Sequence, residues 1–474
     1  MQKLPRTLGF KTTLLLVVGS VIGSAIFMRP VEIVQLLGSP ALVFLAWICG
    51  GVFTLLMVMV LAELAAMMPE EGGQYAIMRN VYGEFWAYLF GWACFAVINC
   101  AGSAGIAFIF SQYLEYFIPL PSFSSEVEKS FSLTMPMVGT VFPLEHFGVK
   151  MVSIFIVSLF TYVSYRSTKF GGLLNSIFTF AKLAAIFILI GGFVAGKVGS
   201  MENLVTSSSS IAPAGMALLI AFVAALNGTL LAYDGTSNML NVAGEIKEPG
   251  KNIPRALISG IFICILVYLL TNAGLMYVLG LDAMAGSALV ASDAAERSFG
   301  VIGGGMVAFF ICISVLGTTI ANILTPPRLT FAMARDGVFL SAAGKIHPRF
   351  NTPGNALLIH WVFMIPLILT GSFYMLTDMY IFILWFFNLF FIAGIFILRK
   401  RMPDEDRPYK VWGYPWMPLL VFAGNSIFLL LVVYKDVTAY LEGQSILMNS
   451  VASIVMTAAG IPLYYFFKWR KIRD

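Results

Sequence analysis

Long apolar stretches alternate with short polar connections along almost the whole chain. Twelve of them are long enough to predict bilayer-crossing helices, which take about 20 mainly apolar residues: 11–37, 40–66, 84–118, 147–165, 172–196, 213–243, 254–280, 300–334, 355–372, 376–398, 415–435 and 446–468. The longest polar connection, about 119–146, and the charged one at 403–410 are both too short for a second domain, so 1–474 reads as one membrane domain. Two stretches are flawed as helices in the same way. The first carries Gly19-Ser-Val-Ile-Gly-Ser-Ala-Ile-Phe27 at its centre, and the sixth carries Asn227-Gly-Thr-Leu-Leu-Ala-Tyr-Asp-Gly-Thr-Ser237. Glycine weakens a helix by roughly 1 kcal/mol relative to alanine. In lipid, every freed N–H and C=O also needs another partner. Such breaks are tolerated where the backbone is enclosed by protein or lines a cavity that meets a ligand.

The spacing of the two breaks matters more than either alone. First and sixth are the positions expected if 11–196 (helices 1–5) and 213–398 (helices 6–10) are inverted repeats, with 415–468 adding two helices. A plainer reading is a pair of glycine-packed helix crossings; the several polar groups in both breaks favour a ligand site. A half-helix starting near Ser24 presents unpaired N–H groups and the positive end of its dipole to an anion such as a carboxylate. The half-helices ending near Val21 and Leu231 present carbonyls that accept from an ammonium. One zwitterion satisfies both ends, and an α-amino acid is the smallest common metabolite of that kind. Ser20 and Ser24 could add side-chain donors. Asp234 costs roughly 2.5–3.5 kcal/mol at this depth on insertion scales, so it should face a cavity, a partner or a cation.

Composition agrees with the pattern: 59% of residues are hydrophobic and 11% charged, against about 25% charged in soluble proteins. With the N-terminus inside, most of the 29 Lys and Arg fall in inner loops and tails, and the outer side holds Arg29, Lys129, Lys150, Lys197, Arg297 and Lys435. This bias predicts that both termini are cytoplasmic. The net charge of +5 is this topology signal and points to no nucleic-acid partner. The five cysteines all lie in apolar stretches with no CxxC pair, which reads as small buried residues and not as disulfides or metal ligands. No cofactor motif stands out. Gly191 to Val198 only approximates a P-loop, and the sequon at Asn227 lies within a span. Glu63, near the inner end of the second stretch, reads as interfacial or paired with an inner loop.

Several segments together resemble the amino acid–polyamine–organocation superfamily, and within it the L-type amino-acid transporter family and its bacterial exchangers and permeases. These are Gly19 to Phe27, Ala232-Tyr-Asp-Gly235, Gly244-Glu-Ile-Lys-Glu-Pro249, Asn252-Ile-Pro-Arg-Ala256, Arg328 to Gly337 and Arg407-Pro-Tyr-Lys-Val-Trp-Gly-Tyr-Pro415. The resemblance implies an all-α polytopic fold of twelve transmembrane helices. Its leucine-transporter-type 5+5 inverted repeat has helices 1 and 6 broken, and two C-terminal helices follow. It implies sodium-independent L-amino-acid transport in the plasma membrane, often by exchange. By the same likeness the substrate meets Ser20, Val21, Ile22, Gly23, Ser24 and Ala25 on the first break, and Leu231 and Asp234 on the second. Three residues depart from the family pattern: Ala25 replaces a glycine, Leu231 a gating phenylalanine and Thr236 a tryptophan. The smaller, more polar lining that these departures imply suggests small or polar amino acids. The outer loop 119–146 lacks the cysteine by which animal relatives attach a glycoprotein subunit, so no disulfide-linked accessory partner is expected.

Lys182 is the one basic residue that this reading places inside a span. It is either a snorkelling lysine or, by the resemblance, a cation standing where distant relatives bind sodium, with Ser314 and Thr318 as candidate partners. Asp234 competes as the coupling residue if it carries a proton, and otherwise caps the broken helix. Proton-coupled symport therefore stays open beside exchange, as does a sensor that binds without flux. A channel lacks a filter motif, and an enzyme lacks a nucleophile–base pair or metal cluster.

Overall fold

A computed structural model describes residues 6, 8–23, 25–68, 73–135, 139–166, 186, 189–192, 198–208, 210–211, 213–240, 243–443, 445 and 447–473. The elements are helices α1 (Phe10–Val21), α2 (Ala25–Leu37), α3 (Pro40–Met67), α4 (Gly73–Tyr82), α5 (Glu84–Glu115), α6 (Phe147–Arg166), α7 (Gly215–Ala232), α8 (Thr236–Leu240), α9 (Pro249–Leu279), α10 (Val290–Leu324), α11 (Pro327–Arg335), α12 (Gly354–Thr370), α13 (Phe373–Arg401), α14 (Trp416–Leu441) and α15 (Asn449–Trp469). The only sheet among the described residues is the antiparallel pair Leu133–Met135 and Gly139–Val141, within the longest polar connection. Nine described helices are long and apolar enough to cross a membrane, or ten with α1 and α2 counted as one span bent by 46°.

This accounts for the predicted stretches one by one. The first is the bent pair, and the ninth is α12, whose 17 residues stop at Gly371, where the backbone turns extended. The fifth, 172–196, lies almost entirely outside the described residues, and Lys182 with it. The remaining nine coincide with the nine long helices. All five cysteines carry free thiols, and only Cys49 is not fully buried.

The chain divides into two compact units. The first comprises Met1–Ala87, Ile186–Gly304 and Trp385–Leu431. Its core is α9 laid along α3 and α1, with α7 against α2 and α3. Close approach needs small residues at the crossings. A Cβ on Gly51 of α3 would stand 2.5 Å from an Ile265 carbon and 3.0 Å from the Tyr233 ring. Buried polar groups are tied in pairs: Glu63 is fully buried in α3 and accepts from Arg399 Nε at 2.9 Å and Nη2 at 2.7 Å, and from the Val411 N–H at 2.6 Å. Glu63 is thus paired with a loop, as its position in the sequence suggests.

The second unit comprises Tyr88–Ala185, Gly305–Leu384 and Val432–Asp474. There α5 packs against α6 and α12. Ser111 of α5 meets Ser153 of α6 at 2.9 Å, and buried His360 of α12 meets Thr330 Oγ1 at 2.8 Å through Nε2. A π-helical turn at Cys94–Asn99 interrupts α5.

Candidate functional site

Both predicted breaks are present, and they meet. The first falls at Ile22, where φ −68° and ψ 91° leave the helical region, and α2 resumes at Ala25. The second falls after Ala232: Tyr233 still has helical angles, Gly235 takes φ +134°, and α8 starts at Thr236. The polar run Asn227–Thr229 stays helical, and Thr229 Oγ1 donates to the Leu226 carbonyl at 2.9 Å. Gly235 lies directly against the first break. An added Cβ would stand 2.5 Å from the Ser20 carbonyl oxygen and 2.9 Å from the Val21 nitrogen. Glycine is needed there twice over, for its backbone angle and for the space.

One side chain ties the two loose helix ends together. The Tyr268 hydroxyl, on α9, lies 2.8 Å from the Val21 carbonyl and 2.7 Å from the Ala232 carbonyl. Tyr268 is fully buried and packs edge-on to Trp47 of α3, ring centroids 5.5 Å apart. Tyr233, from the second break itself, completes the aromatic cluster at 5.0 Å from Tyr268, and its hydroxyl donates to the Trp47 carbonyl at 3.1 Å. A hydroxyl has one proton, so at any moment it donates to one of its two carbonyls.

The expected site residues are distributed as follows. Val21 and Ile22 are buried, Ser20, Gly23 and Ala25 are half-buried at the first break, and Ser24 lies outside the described residues. Leu231 and Asp234 are half-buried at the second, where the Asp234 N–H donates to the Leu231 carbonyl at 3.2 Å. The Leu231 carbonyl is therefore engaged within its own chain turn. Ser20 to Gly23, Ala25, Leu231 and Asp234 thus share one region of the first unit. Ser314 and Thr318 belong to the second unit, one turn apart on α10. There Thr318 Oγ1 donates to the Ser314 carbonyl at 3.2 Å, and buried Ser314 Oγ makes no hydrogen bond among the described residues.

Two features escape a reading of the sequence. Tyr268 and Trp47 carry no local signal, being ordinary aromatics in apolar helices. Arg29 is expected in an outer loop but is fully buried in α2, ion-paired with Glu32 one turn on. Gly228 of α7 gives it room, since a Cβ there would stand 3.3 Å from Arg29 Cδ. The i, i+3 pairing of opposite charges is the clue that could have placed it.

Nine or ten apolar spans among the described residues and a mated pair of broken helices define an all-helical, multi-pass membrane protein. Residues 8–460 match the family model described as amino acid permease. The chain is 30% identical over 472 residues to the serine/threonine exchanger SteT of Bacillus subtilis, covering 99% of this chain and 98% of that protein. It is 29% identical to the human large neutral amino acids transporter small subunit 2, over 98% of this chain and 80% of that one. It is 28% identical to the human b(0,+)-type amino acid transporter 1, over 91% and 89%. The chain belongs to the amino acid permease family of the amino acid–polyamine–organocation superfamily. It is an amino-acid transporter, not an enzyme.

Proposed function

We propose that this transporter is a sodium-independent L-amino-acid exchanger of the leucine-transporter type. In this reading it has twelve transmembrane helices, the 5+5 inverted repeat of 11–196 and 213–398, and both termini in the cytoplasm. It works by alternating access around the two breaks, without an accessory subunit. The substrate carboxylate takes the N–H groups of Gly23, Ser24 and Ala25 at the start of α2, and its ammonium takes carbonyls of the preceding and facing half-helices. The observation that carries the reading is the single hydroxyl of Tyr268 shared by the Val21 and Ala232 carbonyls. It holds the two helix ends at one point while leaving acceptor capacity for a bound ammonium.

Exchange is favoured by the relative at 30% identity, which is a serine/threonine exchanger. Serine and threonine, named for that relative, therefore head the panel to be tested. The experiment is counterflow in proteoliposomes. Labelled serine should enter only when unlabelled amino acid is inside, and neither a sodium nor a pH gradient should change the rate. Uptake into empty vesicles driven by a pH gradient would instead support proton symport, with half-buried Asp234 as the carrier.

A further inference from the structure

The loop between α13 and α14 builds a second site that the transport reading leaves without a role. A cavity of about 410 Å³ is lined by Arg399, Lys400, Arg407, Lys410, Tyr414 and Phe396, all in the first unit. Its volume falls within the range of small-ligand sites, roughly 300–1,000 Å³. Four cations and no carboxylate line it.

The four cations have different duties. Arg407 staples the loop: Nη2 donates to the Met402 carbonyl at 2.6 Å and Nη1 to the Glu405 carbonyl at 3.1 Å. Arg399 is anchored from beneath by Glu63 through Nε and Nη2, and its guanidinium lies 3.7 Å from the centre of the Tyr414 ring. Its Nη1 group makes no hydrogen bond among the described residues. Lys400 and Lys410 are exposed and form no ion pair among the described residues. Glu63 offsets one charge of the four. Asp404, Glu405 and Asp406 lie on the exposed loop beside the cavity and do not line it. Burial and the Glu63 carboxylate raise the Tyr409 hydroxyl above its ordinary range, so it adds no negative charge at neutral pH. The cavity stays cationic and asks for an anion.

Its surroundings say where that anion comes from. Trp412 and Trp416 are 76% and 77% exposed, and Leu419 and Leu420 follow on the outer face of α14 at 44% and 63%. Exposed tryptophans beside a lipid-facing apolar surface mark the headgroup level of a bilayer. Basic pockets at that level recruit anionic lipid headgroups, and each Lys or Arg adds attraction.

We propose that this cavity holds the phosphate of an acidic phospholipid. Lys400, Lys410 and Nη1 of Arg399 contact the phosphate, and the acyl chains run down past Leu419 and Leu420. The inference rests on the membrane reading and not on the transported substrate. It is tested by binding without flux, so its failure is separate from a failure of the exchange reading.

The purified full chain is offered phosphatidylglycerol and phosphatidylcholine of equal acyl chains, and retained lipid is counted by native mass spectrometry. Phosphatidylglycerol should be retained in preference. In the double variant K400Q/K410Q the ratio should fall by roughly 10- to 30-fold, as expected for the loss of two interfacial cations, while K400R/K410R keeps it. The thermal midpoint in detergent verifies that the variants are folded. No preference in the wild-type protein, or an undiminished one in K400Q/K410Q, overturns the proposal. Protection from heat by inorganic phosphate equal to that by phosphatidylglycerol also overturns it, by assigning the site to a soluble anion.

Discussion

Tyr268→Phe removes one oxygen and leaves the packing at the joined breaks in place. The ring is fully buried and keeps its contact with Trp47 at 5.5 Å, so the change isolates the hydroxyl. That hydroxyl serves two carbonyls, at 2.8 and 2.7 Å, with a single proton. The loss is therefore one hydrogen bond at a time and not two. Leaving a buried acceptor unsatisfied costs about 1–3 kcal/mol, and bonds between membrane helices fall toward the lower end of that scale. The affected equilibrium is the docking of one half-helix end on the other, so it shifts by about 5- to 150-fold. The protein should still fold and reach the membrane, with a slightly lowered thermal midpoint. Counterflow should show a raised KM for substrate and a rate reduced by at least about 5-fold. Wild-type KM and rate in a folded Tyr268→Phe protein would refute the tie as the organiser of the site.

Three further changes probe neighbouring steps. Gly235→Ala places a methyl group 2.5 Å from the Ser20 carbonyl at a backbone φ of +134°. The break must open, and exchange should be abolished in protein that still inserts, as read by counterflow on surface-accessible protein. Glu63→Ala strips Arg399 and Arg407 of their shared carboxylate, which should destabilise by about 3–5 kcal/mol; a markedly lower unfolding temperature in detergent checks this. Lys182→Ala should slow exchange strongly in a folded protein if Lys182 stands in for a sodium ion, and wild-type flux in that variant removes it from the mechanism.

The breaks were legible because glycine, serine and aspartate are costly in an apolar helix, and a costly residue advertises a reason. The tie between them was not. Tyr268 lies 247 residues from Val21 and sits in a stretch whose apolar pattern is satisfied without it. Charge was legible in kind and less so in place. Glu63 announced a pairing, but its partners Arg399 and Arg407 come from the far end of the chain. Arg29 looked like a charge seeking water because its stretch was expected to end in an outer loop. Instead it is buried in α2 and ion-paired with Glu32 one helical turn on. Helix bounds were read closely at α12, expected over 355–372 and found at Gly354–Thr370, and less well at the eighth stretch, where the helix begins at Val290 and not at 300 because polar residues near its start are carried within the helix.

The tie also bears on why a zwitterion suits the proposed site. A helix break in lipid is stable only when its N–H and C=O groups are met, and among the described residues one Tyr268 proton serves two carbonyls at the join. That shared proton favours a further donor arriving near Val21 and Ala232. An ammonium brings three N–H groups to that point, and a carboxylate on the next carbon lies within reach of the N–H end of α2. A substrate lacking either charge would leave one half-helix end unmet. Serine methyl ester and 3-hydroxypropionate, which keep the ammonium and the carboxylate respectively, should therefore each bind at least about 10-fold more weakly than serine, since a charged hydrogen bond contributes roughly 1.5–3 kcal/mol. Competition against labelled serine reads this directly, and equal inhibition by either analogue would break the link between the paired helix ends and the zwitterion.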